Sequence, residues 1–466
     1  MVQHSWSGRA RDVSTRPFPA GSGDRPRVAL AVAVLAFFVV TLDAVVVNVA
    51  LPSVRADLGG GVRGLQWVVD GYTLPFAALL LSAGSLVDRV GAKQAIGGGV
   101  ALFILASAAC GVAPSLWWLV TARVAQGAAA AVLMPASLAL IQHAYPDPGH
   151  RRRAVGKWAM GAAVASSSGP VVGGVLTLLD WRLIFLVNVP VGAAALYLLR
   201  LAQPSSRLRT PLDLRGQVSA VLAMTGLTYG LIEAGAEGFG SVEVEAALAL
   251  AVLASFAFVY SQARSSHPVV PRELARSRTV SIALIIGFAF MFGFFGLPFL
   301  YSLYLQQERG LSALDTGLAF LPMMLIGLLL TPGSARITER FGSKSVIAGG
   351  LGLMSTGLLV LALLPIATPV WVLSVLMTLV GVGGPLVMPP TTSALLNSVP
   401  SSLAGSASGM FNSARQVGGV LAVALFGALL ARPAHVIEGL RVSLLIAAAA
   451  VLVAALASTR LSRTRW

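Results

Sequence analysis

The stretch TLDAVVVNVALP (residues 41–52) places a carboxylate, Asp43, fifteen residues into an apolar run that starts at Val28. A charge at the centre of a bilayer-spanning helix costs roughly 2.5–3.5 kcal/mol on insertion scales, so such a residue implies a use. A cation stands in a comparable setting in RVAQGAAAA (123–131), where Arg123 and Gln126 share one helical face at a spacing of three. If this run enters from the outer side near Leu116, Arg123 lies about 10 Å in at 1.5 Å per residue. Asp43, seven residues from the outer end of its own run, lies at nearly the same depth, so the two can pair. Burial favours the neutral form of a carboxyl group and a neighbouring cation favours the charged form. A carboxylate placed so can take up a proton in one state of the molecule and release it in another. Asp70, about 6 Å into the next run, is a second candidate for this role.

The elements that position these residues follow from composition. The chain has 466 residues, 56% hydrophobic and 11% charged, far more apolar than a soluble domain. Fourteen runs between residues 28 and 458 are long enough to cross a bilayer core, those at 95–112 and 183–201 being short. The formal charge of +15 would suggest nucleic acid in a soluble chain, but here the Arg residues fall between apolar runs, so no nucleic-acid partner is expected. With an even number of spans both termini share a side, and that side carries roughly four times as many Lys and Arg as the other. The termini and the basic stretch GHRRRAVGK (149–157) are therefore assigned to the cytoplasm, and the connection with Glu237, Glu243 and Glu245 to the outside. Cys110 is the only cysteine, and the five histidines lie outside the deep parts of the runs, so neither an intrachain disulfide nor a metal site is expected.

Three separated segments repeat. GSLVDRVGAK (84–93) returns as GSARITERFGSK (333–344), GAAAAVLMPA (127–136) as GVGGPLVMPP (381–390), and VGGVL (172–176) as VGGVL (417–421). The similar spacing of the three pairs implies two homologous six-span halves with two extra spans between them. The expected organisation is a disordered basic tail (1–27), a first six-helix bundle (28–203), two linker helices with their loops (204–278), a second bundle (279–458) and a short tail (459–466). Parallel repeats related by an axis along the membrane normal can rock about a site between them and expose it to each side in turn, which points to transport.

On these residues the chain resembles the fourteen-span drug:proton antiporters of the major facilitator superfamily, from about residue 28 to 458. The motifs that carry the resemblance are LDAVVVNVALP in span 1, GSLVDRVGAK after span 2, RVAQGAAAA in span 4, GPVVGG (169–174) in span 5 and NSARQVGG (412–419) in span 13. It implies an all-α polytopic membrane protein with the major facilitator fold: two six-helix bundles plus two inserted central helices, fourteen in all. It also implies that Gly84, Asp88, Arg89, Gly91 and Lys93, with Glu339, Arg340 and Lys344 of the second copy, latch the halves in one state. Ala92 stands where the family usually has a basic residue. Gly169, Pro170, Gly173 and Gly174 match the element associated with export, and Gly169 with Gly173 makes a small-xxx-small face.

Asn48, Tyr72, Gln126, Asn412, Arg415 and Gln416 are candidates for the cavity, within a wall that could also include Trp67, Phe76, Phe292, Phe295, Tyr301 and Tyr304. GGGVRG (59–64) matches a dinucleotide fingerprint by letter, but it follows a membrane run with no strand before it. No phosphate-binding G-x-x-x-x-G-K-[ST] motif is present, which argues against an ATP-driven pump. The expected function is a proton-coupled exporter of small amphipathic compounds in the cytoplasmic membrane. It is not expected to be an enzyme, needs no cofactor beyond the proton gradient and acts as a monomer in the bilayer. An exporter dedicated to one metabolite, an importer and a non-transporting sensor or scaffold are the alternatives.

The topology is testable by single-cysteine labelling. With Cys110 replaced by Ser, Pro148→Cys should react only from the cytoplasmic side and Gly240→Cys only from outside. Reaction of both from one side would break the fourteen-span arrangement.

Overall fold

The computed structural model of the chain describes residues 25–203, 213–265, 268, 270–400, 403–431 and 435–461, and all regular structure among them is helical. The expected N-terminal tail up to residue 24, the loop at 204–212 and the tail from 462 lie outside the described residues. The first half consists of α1 (Arg25–Leu58), α2 (Gly61–Val90), α3 (Ala92–Gly111), α4 (Leu116–Ala144), α5 (Pro148–Leu179) and α6 (Leu183–Leu201). Then come α7 (Leu214–Glu237) and α8 (Val242–Arg264). The second half consists of α9 (Arg278–Glu308), α10 (Ala313–Phe341), α11 (Ser343–Leu363), α12 (Val370–Asn397), α13 (Ala404–Leu430) and α14 (Val436–Ser458). Thirteen of these are long and apolar enough to cross a membrane, and α2, bent between Gly61–Leu80 and Ser82–Val90, makes the fourteenth.

Several helices outrun the apolar stretches that announce them. The first turns of α5 are the polar segment starting at Pro148, because the Asp147 carboxylate accepts from the His150 N–H (2.7 Å) and starts the helix seven residues before its apolar run. Ser115, Asp213, Ser241, Ser277 and Ser312 cap α4, α7, α8, α9 and α10 in the same way, each cap being worth about 1 kcal/mol.

The two halves use the same set of helix pairings. In the first, α1 packs on α4, α5 and α6, α2 on α4, and α3 on α4 and α6; in the second, α9 packs on α12, α13 and α14, α10 on α12, and α11 on α12 and α14. Repeated glycines explain the repeated geometry. A Cβ at Gly127 of α4 would collide with the Tyr72 carbonyl of α2, and a Cβ at Gly381 of α12 would collide with the Met323 carbonyl of α10. Gly91 (φ 96°) and Gly342 (φ 80°) make the same one-residue turn after α2 and α10, a conformation that costs side-chain-bearing residues energy.

Across the halves, α5 meets α10 and α2 meets α13, with α1 touching α9. The inserted pair breaks this symmetry, because α7 lies against both α2 and α13 while α8 packs on α7. Polar contacts tie α7 to α2 at both ends: Arg63 forms a two-pronged ion pair with Glu233 (2.9 and 2.7 Å), and the Gln217 amide donates to the Ala78 carbonyl (2.6 Å).

Because a backbone carbonyl cannot move aside, Gly127→Ala and Gly381→Ala should each destabilise the protein by about 1–3 kcal/mol. Gly98 of α3 has open space where a Cβ would stand, so Gly98→Ala should leave stability unchanged or raise it by up to about 1 kcal/mol. Thermal unfolding of the purified protein in detergent separates the two classes.

Candidate functional site

Asp43 lies at the centre of a sealed polar network. Asp43, Ser107, Arg123, Gln126 and Asn188 are all 0% exposed, so their partners must come from within the protein, and among their side-chain polar atoms only Arg123 Nη2 and Asn188 Oδ1 have none among the described residues. Arg123 Nη1 donates to Asp43 Oδ2 in a buried ion pair. Asp43 Oδ1 accepts from Asn188 Nδ2 (2.8 Å) and Gln126 Nε2 (3.2 Å). Arg123 also donates to the Val68 carbonyl through Nε (3.0 Å) and to Gln126 Oε1 (3.1 Å), and Gln126 reaches Ser107 Oγ at 2.8 Å. Five helices thus meet at one carboxylate: α1 supplies it, α4 the cation and an amide, α6 the second amide, α3 the hydroxyl and α2 the carbonyl.

Ser107 and Asn188 are absent from the candidates named by sequence. Asn188 carried a signal, since an amide inside a 19-residue apolar run is itself an intramembrane polar group. Ser107 carried none, because serine is common in membrane helices. The Arg123 guanidinium stands 4.4 Å from the Tyr72 ring centroid, and the Tyr72 hydroxyl donates to the Val40 carbonyl (2.9 Å). Tyr72 is therefore the partition between the network and the space beyond it.

That space is a cavity of about 440 Å³ between the halves, lined from α1, α2, α4 and α5 on one side and α9, α10, α12 and α13 on the other. Its wall holds Phe37, Tyr72, Phe76, Phe290, Phe294 and Phe295 and five methionines, Met134, Met291, Met323, Met324 and Met388. Of the candidates named by sequence, Tyr72, Phe76, Phe295, Asn412, Arg415 and Gln416 line it. Asn48 and Gln126 do not: Asn48 turns back to the Val45 carbonyl, and Gln126 faces the sealed network. Trp67 instead faces Tyr229 of α7, Phe292 packs on Phe426, and Tyr301 and Tyr304 stack edge-on with each other. Phe290 and Phe294 take the wall positions because of helical phase: they stand two residues to either side of Phe292, a rotation that sequence spacing alone leaves open. Asp70, 0% exposed, sits behind the wall residue Thr73, whose hydroxyl donates to Asp70 Oδ1 (3.0 Å).

The cavity reaches the surface beside the exposed lining residues Ala159, Thr331 and Pro389, and contacts between the halves close its other end. There Gln66 of α2 donates to the Ala424 carbonyl of α13 (2.7 Å), Gln306 of α9 to the Val49 carbonyl of α1 (3.0 Å), and Ser302 to the Asn48 carbonyl. The GPVVGG element contributes on two faces. Gly169 and Gly173 admit Val45, Val46 and Val49 of α1, whereas Gly174 lets the backbone of Ala313 and Leu314 of α10 approach across the halves, and the Pro170 carbonyl fits against Gly317. At the opposite end Asp88, Arg89, Glu339 and Arg340 are exposed, and among the described residues no ion pair includes them or Lys344. Gly84 lies within α2 two turns from the loop, and Lys93 donates to the carbonyls of Arg200 and Ala202 at the end of α6.

Comparison with known proteins agrees with this architecture. A family model described as Major Facilitator Superfamily matches residues 33–423. The chain is 33% identical over 461 residues to the methylenomycin A resistance protein of Streptomyces coelicolor, covering 97% of this chain and 96% of that one. It is 34% identical over 416 residues to the tetracenomycin C resistance and export protein of Streptomyces glaucescens, covering 88% and 77%. A crystal structure of peptide transporter POT matches the fold with a TM-score of 0.68 at 18% identity, covering 94% of each chain.

Asp43→Asn should leave Arg123 as a buried cation with no anion and cost about 3–5 kcal/mol. The expected result is reduced yield and a lower melting temperature, with most of the loss restored by Arg123→Gln in the same chain. Size-exclusion profiles and thermal unfolding of the single and double variants measure it.

Proposed function

The chain belongs to the major facilitator superfamily, and from that premise we propose that it exports bulky, mostly apolar compounds across the cytoplasmic membrane, driven by protons and by alternating access. The observation that carries this reading is the cavity between the halves, closed at one end and open at the other, with a buried carboxylate directly behind its Tyr72 wall.

The positive-inside argument assigns the open end to the cytoplasm, since the closing contacts at Asn48, Val49 and Gln66 flank the outer turn between α1 and α2. A compound enters from that side and settles among aromatic rings and methionines. Methionine side chains are unbranched and polarizable, so they adapt to differently shaped apolar ligands. The halves then rock: the contacts of α2 with α13 and of α5 with α10 separate, and the loops around Asp88 and Glu339 approach one another. Protonation of Asp43 is the coupling step, because it removes the anion that pairs with Arg123 and so changes the contact between α1 and α4. The substrate itself is not altered chemically. Relatives bearing resistance and export names support export as the direction.

Susceptibility profiling of an efflux-deficient host expressing the chain, against a panel of antibiotics, should reveal protection against at least one compound. In proteoliposomes with an imposed pH gradient, the wild type should accumulate that compound uphill. The double variant Asp43→Asn/Arg123→Gln, folded but without the carboxylate, should only equilibrate it. Uphill accumulation by the double variant would remove the proton-carrier role from Asp43 and direct attention to Asp70.

A further inference from the structure

The two intramembrane arginines are in opposite situations. Arg123 is paired, but the Arg415 guanidinium, on the cavity wall, forms no ion pair among the described residues. Its Nη1 donates to Asn412 Oδ1 (3.1 Å), and its Nε is buried with no hydrogen-bond partner at all. The Asn412 amide nitrogen in turn donates to the Ser408 carbonyl (3.0 Å), so Asn412 orients the guanidinium; the Phe411 ring centroid stands 6.0 Å from it, and no anion among the described residues neutralises its charge. Among the described residues no Asp or Glu lines the cavity, and Arg415 is the one charged residue that does. Room for it has been made: the aliphatic stem lies against Gly287 of α9, where a Cβ would come within 3.0 Å of Arg415 Cγ. Gln416, beside it on the wall, offers a second, uncommitted amide.

An unpaired cation in an apolar membrane cavity is costly, and a group kept at such a cost is one that meets its partner from elsewhere. A guanidinium is always protonated, presents a planar fork of donors and binds carboxylates through two parallel hydrogen bonds. We infer that the transported compound is an amphipathic monoanion, its carboxylate gripped by Arg415 with Gln416 and its apolar body lying among the phenylalanines and methionines. This names the substrate class within the export reading above and rests on it. It also excludes amphipathic cations, which the field of a lone guanidinium in a low-dielectric pocket repels.

The test is equilibrium binding to the purified protein of three fluorescent probes sharing one ring system: 1-naphthylacetate, 1-naphthylacetamide and 2-(1-naphthyl)ethylammonium. The wild type should bind the carboxylate about tenfold or more tightly than the amide, as a charge-assisted pair allows, and the ammonium most weakly. Arg415→Gln should abolish the preference by weakening the carboxylate alone, and Arg415→Lys should keep part of it. Since Arg415→Gln removes an unpaired charge, it should melt no lower than the wild type. Charge-blind binding, no binding of any probe, a preference that survives Arg415→Gln, or a marked fall in melting temperature in that variant would each overturn the inference. Binding at equilibrium does not depend on transport, so the two readings fail separately. A carboxylate held through Arg415 but never exported by everted vesicles would remove only the export reading. Export of neutral or cationic compounds with charge-blind binding would remove only this one.

Discussion

The buried pairing of Asp43 with Arg123 ties the first half together. A carboxylate and a guanidinium, each with no access to water, must be neutralised and hydrogen-bonded inside the protein, and satisfying them draws five helices to one point. Asn188 brings α6, Ser107 brings α3, and the Val68 carbonyl brings α2 against the α1–α4 contact.

Motion of the halves depends on a different property, the smoothness of the surfaces between them. Gly174 and Gly317 let α5 and α10 touch backbone to backbone, and the polar links at the closed end are a few separate hydrogen bonds, such as those of Gln66 to the Val423 and Ala424 carbonyls and of Arg55 to Gln307. Each such bond is worth about 1 kcal/mol net, small enough for a seal that must break and re-form. The contacts within each half, by contrast, repeat the same glycine-cushioned crossings at Gly127 and Gly381, and nothing in the cycle requires them to part. The helix pair α7–α8 is held to α2 by the Arg63–Glu233 pair and Gln217, so its polar attachments are to the first half, while it meets α13 of the second at Gly235 and Ala428.

The cavity joins two kinds of surface: methionine and phenylalanine walls that impose no fixed shape, and one guanidinium, that of Arg415. Asp43 lies behind Tyr72, out of the cavity, where it pairs with Arg123 and not with Arg415.

Much of this was legible in the sequence because membranes impose simple rules. Length and apolarity mark the spans, intramembrane charges at Asp43, Arg123 and Arg415 mark the sites, and the repeated segments mark the symmetry of the fold. The glycines that repeat do so because the same helix crossings repeat. What sequence could not determine was rotation about each helix axis. The alternation of apolar residues in a span facing lipid on one side and protein on the other is weak, since both surroundings are apolar. For that reason Phe292 looked as suited to the cavity as Phe290 and Phe294, and Asn48 and Gln126 as suited as Asn412. Only packing decided that Gln126 turns toward Asp43, that Asn188 joins it from a helix 145 residues further along the chain, and that Arg415 faces the cavity with no carboxylate among the described residues paired to it.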